Sequence, residues 1–403
     1  METVEIQLPP ANALAGANAL ATANALATTN ALSTAKVRLG NLPRACNQPF
    51  SDSVPVPAFG TASLPSKGVE DLERGSVPAY RDQLRLATLP IREELILVEQ
   101  MLHSELKVAQ PHIAEMLSYV ADLGGKRLRP SLLLLAAKAS GIASEESIRL
   151  SVVVELVHTA TLVHDDILDS ALVRRHKETV HKRWTVPASV LVGDWLFTHA
   201  YGLANKGNST IPGRWIADAA KQVCEGEMMQ GHSIRHFEME VPEYIRLLDA
   251  KTGALCALSC SLGAWSAGAD EATCHRLQQY GLKLGTAFQV FDDWLDVWGA
   301  QDYAGKTLGT DLGSFKPTLP AIRALECLPT KARETMISRL NNGDISAVVE
   351  LRSAMENCDA SEYTKRFAKE LIEEAVRYLD GFPTNASVTA LRTLAMAAVE
   401  RQG

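Results

Sequence analysis

The chain has 403 residues, 46% of them hydrophobic, and a formal net charge of −7. That length supports a substantial core, as one large domain or two small ones, and the acidic balance without a long basic stripe excludes nucleic acid as the main partner. Seven irregularly spaced cysteines point to a reducing compartment rather than a disulfide framework, and apolar runs such as 132–137 are far too short to span a bilayer.

Residues 1–77 differ from everything after them. Asn-Ala-Leu recurs at Asn12, Asn18, Asn24 and Asn30, a six-residue period that fits no helical face and buries nothing. Between Glu5 and Asp52 there is no acidic residue, while Lys36, Arg38 and Arg44 are basic. That bias is shared with organelle transit peptides, which would mean a plastid or mitochondrial destination. A disordered extension or a start codon set too far upstream explains it as well, and the expectation is then a cytoplasmic protein. Pro55, Pro57, Pro65 and Pro78 read as linker.

From about Tyr80 the pattern is helical. Ile113, Met116, Leu117 and Val120 recur at three-to-four spacing, Gly124–Gly125 stops that helix, and Pro130 suits the first turn of the next. Ala/Leu/Val-rich helices are expected over 131–139, 147–169, 190–204, 216–229, 241–268, 271–297 and 316–326. Cys256 and Cys260, one turn apart with no further thiol or histidine to complete a zinc site, read as buried small hydrophobes. Strand signals are nearly absent. The expectation for 78–403 is one all-α domain, a large bundle whose middle helices are apolar nearly all round.

Two stretches carry the chemistry. LVHDDILDSALVRRHKET places Asp165, Asp166 and Asp169 ahead of Arg174 and Arg175, and FQVFDDWLD repeats the acidic spacing at Asp292, Asp293 and Asp296. A helix turns ~100° per residue, so positions four apart share a face and each cluster stacks at least two carboxylates. In apolar surroundings such charges repel strongly unless neutralised, and magnesium, which takes a few carboxylates plus substrate phosphates, is the economical answer. One such motif alone would be an ordinary solvated patch; two matched copies, the first leading into an arginine pair suited to phosphate, are not.

Four further features fit diphosphates. GGKRLRP sets Lys126, Arg127 and Arg129 at a helix start, where anions are favoured, although a surface basic cluster would look the same. His158, about two turns before Asp165, could donate to phosphate or be a satisfied core histidine. Lys251–Thr252 open an apolar segment. GKTLGTDLGSFKPTLP offers Lys306, Asp311 and Lys316 on a glycine-rich loop (Gly305, Gly309, Gly313) able to close over phosphate.

In this order, GGKRLRP, HTATLVHDDILD with its arginine pair, GEMMQ, KTGAL, FQVFDDWLD and GK…KPTLP resemble the signature of the trans-type polyprenyl diphosphate synthases, over roughly residues 85–400. The resemblance implies an isoprenoid-synthase-type bundle around a deep central cavity, a homodimer, and successive condensation of isopentenyl diphosphate onto an allylic diphosphate with release of diphosphate. It implies two or three magnesium ions held by Asp165, Asp166 and Asp169, with Asp292 and Asp293 on the opposite wall and Asp296 assisting. Arg174 would contact the allylic diphosphate; Lys126, Arg129, His158 and Arg175 would bind isopentenyl diphosphate. Lys251, Thr252, Gln289, Lys306 and Lys316 would surround the allylic leaving group.

Short-chain members of that family place a bulky aromatic five residues before the first aspartate. Here Ala160 stands there, followed by Thr161, ~7 Å down the helix at ~1.5 Å per residue, which implies an open shaft and a product of about six to ten isoprene units, a quinone side-chain precursor. A floor set lower, for example by Leu156, would shorten it. The chain departs from the pattern at His176, where the family usually has glycine, at His181, often asparagine, and at Trp294, where small aliphatics are commoner. The competing readings are a farnesyl or geranylgeranyl synthase, a class I terpene cyclase and a non-catalytic regulatory subunit. A cyclase has little use for Lys126, Arg129 and His158, and a regulatory subunit would have lost an acidic cluster. Membrane contact is expected to be at most peripheral, for product release.

Overall fold

A computed structural model describes residues 80–299 and 309–400. The expectations for residues 1–77 and for Lys306 lie outside the described residues. In chain order the helices are α1 Tyr80–Thr88, α2 Arg92–Glu105, α3 Pro111–Ala121, α4 Leu128–Ser140 and α5 Glu145–Leu168. A hairpin of β1 Val173–Arg174 and β2 Lys177–Glu178 follows, then α6 Val180–Arg183, α7 Val186–Ala204, α8 Ile211–Ser233 and α9 Val241–Leu248. A π-helical turn, Asp249–Gly253, leads into α10 Ala254–Ser266 and α11 Glu271–Trp298. The chain continues with α12 Thr310–Gly313, α13 Leu319–Cys327, α14 Thr330–Asn341, α15 Ile345–Glu356, α16 Ala360–Arg377 and α17 Ala386–Val399.

The all-α expectation is met, and the middle of the bundle is where the sequence is apolar on every side. Leu132, Leu133, Leu134, Leu135, Ala136 and Ala137 of α4 have no exposure, and α10 is buried from Ala254 to Ala264. A helix without a polar face must be covered all round. Accordingly α10 packs against α11, α4, α5 and α8. Cys256 and Cys260 lie inside it as the small hydrophobes expected. A smaller cluster of Phe237, Leu312, Ala321, Leu325, Leu340 and Leu351 organises the region from α12 to α15. Local caps fix the helix starts: Ser144 and Ser147 form a capping box on α5, and Asp270 accepts from the Thr273 amide at 2.8 Å to begin α11.

The helices expected at 190–204 and 216–229 run longer, over Val186–Ala204 and Ile211–Ser233, and three further features differ from expectation. The 241–268 segment is interrupted by the π turn, which carries Lys251 and Thr252. The segment expected from 316 begins at Leu319, because Pro317 disfavours helix at Lys316 before it. The hairpin was not foreseen. Val173 pairs with Glu178 and Arg174 with Lys177, so Arg175 and His176 form a two-residue turn with φ of +50° and +64°. Hairpin turns of that kind require positive φ at both positions. His176 therefore stands in backbone that favours glycine. Among the described residues no helix is long and apolar enough to cross a membrane.

Candidate active site

Both acidic motifs occupy the C-terminal ends of long helices. Asp169 caps α5, its amide donating to the Asp165 carbonyl at 2.8 Å, and Asp292, Asp293 and Asp296 fall in the last two turns of α11. Helix C-termini already carry partial negative charge, so each site gathers carboxylates where they are least comfortable without a cation. Burial, and then the neighbouring Glu227, push the Asp165 carboxyl up to about 7 against the opposing pull of Lys251. Asp166 is 1% exposed and accepts from Arg174 Nε at 2.6 Å; burial raises its carboxyl and Arg174 holds the rise in check. Asp169 is half exposed and lies 3.3 Å from Lys316 Nζ.

On α11 the three carboxylates have different surroundings. Asp293 is buried, accepts from the Tyr244 hydroxyl at 2.7 Å and from Gln289 Nε2 at 3.0 Å, and is raised by burial and then by Asp311. Asp296 is 1% exposed; its carboxylate accepts from the Thr310 hydroxyl at 3.1 Å and the Asp311 amide at 3.1 Å, and its carbonyl from the Gly309 amide at 2.7 Å. Asp292 is half-buried, one turn before Asp296. Lys316 joins the two motifs. Its ammonium sits between Asp169 on one side and Asp311, at 4.0 Å, on the other, and Asp311 is tied to Asp296. Burial pulls the Lys316 ammonium down, but Asp169 and Asp311 outweigh it and the net shift is upward.

The π turn brings Lys251 and Thr252 to the same place. Lys251 Nζ lies 2.8 Å from Glu227 Oε1 and 2.5 Å from Gln230 Oε1, and the Thr252 hydroxyl donates to Gln289 at 3.2 Å. Thr252, Gln289, Asp293 and Tyr244 thus form one hydrogen-bonded chain. The approach depends on Gly226 of α8, where a Cβ would stand 2.7 Å from the Lys251 amide nitrogen. Mid-helix π turns are often found at functional sites.

The basic groups gather along the C-terminal half of α5, from Glu155 to Asp166. Arg127, in left-handed backbone (φ +49°) before α4, is clamped by Glu99 at 2.5 and 3.1 Å and by Glu155 at 2.7 Å, which fixes the loop that presents Lys126 and Arg129. A Cβ on Gly125 would meet Arg175 Nη1 at 2.8 Å, so the arginine pair lies against that loop. His158 sits among them. Burial, then Arg129, Arg175, Arg174 and Arg127, pull its imidazole well below the usual range, leaving it neutral at pH 7 with one N–H to donate. A cleft between α2 and α5, with apolar walls including Leu102 and Leu156, opens among Arg127, Arg174 and Arg175. Ala160 is fully buried and ~140° round the helix from Asp165, whereas Thr161, four residues before Asp165, is half-buried on its face.

The expected residues Asp165, Asp169, Lys251 and Lys316 thus converge, and Asp292, Asp293, Asp296, Thr252 and Gln289 connect to them. Lys126, Arg129, His158, Arg174 and Arg175 assemble beside them. Glu227, Gln230, Tyr244, Glu99 and Glu155 were not singled out from the sequence. The spacing of Glu227 and Gln230 in GEMMQ, three apart on one helix face, was the available signal.

A family model described as Polyprenyl synthetase matches residues 110–357. The chain is 33% identical over 307 residues to heptaprenyl diphosphate synthase component 2 of Geobacillus stearothermophilus, covering 76% of this chain and 95% of that one. It is also 33% identical over 288 residues to a short chain isoprenyl diphosphate synthase of Methanothermobacter thermautotrophicus, covering 70% and 89%. Among solved structures, a Caulobacter crescentus polyprenyl synthase complexed with calcium and isoprenyl diphosphate superposes with a TM-score of 0.74 at 32% identity, over 79% of this chain and 98% of that one. With the fold, both acidic motifs and these likenesses in agreement, the chain belongs to the polyprenyl synthetase family and is a prenyltransferase.

Proposed function

We propose that residues 78–403 form the catalytic domain of a magnesium-dependent synthase that condenses isopentenyl diphosphate successively with an allylic diphosphate, making a long all-trans polyprenyl diphosphate. The observation that carries this reading is the Lys316 bridge, which links the first acidic motif through Asp169 to the second through Asp311 and Asp296. Carboxylates from both helices then face one diphosphate.

The donor set is all oxygen and short of positive charge at Asp165, which fits a hard divalent cation. Asp165, Asp169 and Asp292 would hold it most directly, with Asp166, Asp293 and Asp296 orienting them through Arg174, Tyr244 and the α12 amides. When bound, magnesium neutralises the charge that develops on the departing diphosphate. Lys251, Lys316 and Arg174 add fixed cations at the same leaving group, preorganised so that no rearrangement is needed as charge develops. Lys126, Arg129, Arg175 and the neutral His158 bind isopentenyl diphosphate on the other side. The allylic carbocation sits between them, and the apolar wall of α5 excludes water that would quench it. Thr252 and Gln289 steady the cation by their oxygen dipoles. The liberated diphosphate is the nearest base for the final proton.

The heptaprenyl and short chain relatives match at equal identity, so product length rests on α5. Thr161, on the face of Asp165, carries no aromatic, which supports a product of about six to ten units, with ~1.5 Å of helix rise per residue left open below Asp165. The exposed Val186, Val190 and Leu191 on α7 support a homodimer, and the one relative named as a component makes a heteromer the alternative. The absence of a spanning helix among the described residues and the cysteine usage support the cytoplasm. Purified protein incubated with labelled isopentenyl diphosphate, an allylic primer and magnesium is expected to give linear products. Cyclic hydrocarbons, or no turnover without a second protein, would refute the reading; solution mass of the active species decides between homodimer and heteromer.

A further inference from the structure

Away from the candidate active site, Cys327 ends α13 and Cys358 stands in the turn between α15 and α16. Their sulfurs and a carboxylate oxygen of Asp359 all lie within 4.8 Å of one another. Both are free thiols, Cys327 exposed and Cys358 half-buried. The Cys327 thiol donates to Asp359 Oδ1 at 3.6 Å and the Cys358 thiol to the Met355 carbonyl at 3.7 Å. Arg323, one turn before Cys327, grips Asp359 with two hydrogen bonds, of 2.8 and 3.0 Å.

We propose that Cys327 and Cys358 are a redox modification site, closing to a reversible disulfide that staples the end of α13 to the α15–α16 turn. The oxidant is a low-molecular-weight disulfide of the glutathione class. Cys327, the exposed thiol, loses its proton to solvent and attacks one sulfur of the oxidant, whose S–S bond breaks and releases one thiol. Cys358 then loses its proton, attacks the mixed disulfide at Cys327 and expels the second thiol. Two electrons pass from the cysteine pair to the oxidant, and excess reductant reverses both steps. A third thiolate or an imidazole would be needed to favour metal instead. Among the described residues the third ligand in the cluster is Asp359, whose two oxygens already hold a guanidinium that would repel a cation beside it. Burial and then the neighbouring Cys358 push the Cys327 thiol up and Arg323 only partly offsets them, so the attacking thiolate is a minor species whose share, and with it the rate of closure, grows with pH. The link closes a loop of about thirty residues, enough to restrict the unfolded chain appreciably. It restrains α13, which begins three residues after Lys316.

The test is to expose the full chain to oxidised glutathione and then map its peptides and its unfolding midpoint. The expected result is a joined peptide containing Cys327 and Cys358, a midpoint raised by about 5 °C and reversal by dithiothreitol. C327S should abolish the joined peptide and the shift, and C358A should leave a stable glutathione adduct on Cys327. Separate adducts on both cysteines of the unmutated chain, or two thiols left reduced, would overturn the proposal. So would a midpoint raised by zinc alone in the reduced protein and lost in C327S, which would mark a metal site.

Discussion

At the level of single residues, the six aspartates of the two motifs divide by what already satisfies them. Asp293 and Asp296 are buried and accept hydrogen bonds from Tyr244, Gln289, Thr310 and the Asp311 amide. Asp165 sits instead beside a second carboxylate, Glu227, and is left short of positive charge. Asp165→Ala and Asp292→Ala should therefore lower turnover about 1000-fold or more, because they remove cation ligands, and Asp165→Ala should leave the unfolding midpoint little changed. Asp296→Ala should also destabilise the fold, by about 1–2 kcal/mol, since it removes the acceptor of the Thr310 hydroxyl and the Asp311 amide. Equal stability losses for Asp165→Ala and Asp296→Ala in thermal melts would contradict that division. The same contrast applies below the first motif. Thr161 shares the face of Asp165, so Thr161→Phe should shorten the product in a chain-length assay. Ala160 has no exposure, so Ala160→Phe overpacks the core, costing about 1–3 kcal/mol, and shortens the product only as the helix is displaced. Unchanged product length in Thr161→Phe would place the floor lower, near Leu156.

At the level of elements, helix existence was legible because α4, α5 and α10 are apolar nearly all round over runs too long for strands, which only a helix covered on every side explains. The acidic motifs were legible as well: spacing of four on a helix is a geometric statement. The π turn was not, since one extra residue per turn leaves composition untouched. Nor was the hairpin, whose two-residue strands are too short for alternation to register. The role of Glu227 was hidden because its partner Lys251 comes from a separate element. Two substitutions probe the unforeseen elements. Gly226→Ala would drive a Cβ to within 2.7 Å of the Lys251 amide nitrogen. It should displace the π turn and cut kcat at least tenfold while helix content holds; normal kcat would show that the turn has room to move. His176→Gly should relieve the left-handed backbone at φ +64° and stabilise the chain, by about 0.5–1 kcal/mol in denaturant melts. A loss of stability there would mean that the imidazole makes a compensating contact.

For the molecule as a whole, the concentration of negative charge at two helix ends makes stability depend jointly on pH and on cation. Asp165 is raised to about 7, first by burial and then by Glu227, and Asp293 is raised by burial and Asp311. A carboxyl whose pKa is higher folded than unfolded binds its proton more readily in the native state, so between about pH 4 and pH 7 native stability falls as pH rises. The surface carboxylates Asp344 and Asp359 are held below the ordinary range by Ser346 and by Arg323 respectively. Their contribution has the opposite sign and is lost only at lower pH, as it falls through the folded values; His158, held well below its ordinary value, opposes the raised carboxyls below about pH 6.5, and comparison with Asp165→Asn, which keeps His158, isolates the carboxyl share. Without divalent ions, the unfolding midpoint should thus be lower at pH 8 than at pH 5.5, and Asp165→Asn should flatten that slope. Magnesium competes with the proton for the same oxygens. Saturating metal, at about 100 times its dissociation constant, should restore about 2.7 kcal/mol at pH 8 and much less at pH 5.5. Calorimetry across that range, with and without magnesium, separates a metal site from a merely acidic surface. Equal magnesium effects at both pH values, or an effect that survives in Asp165→Asn, would mean that the ion binds elsewhere.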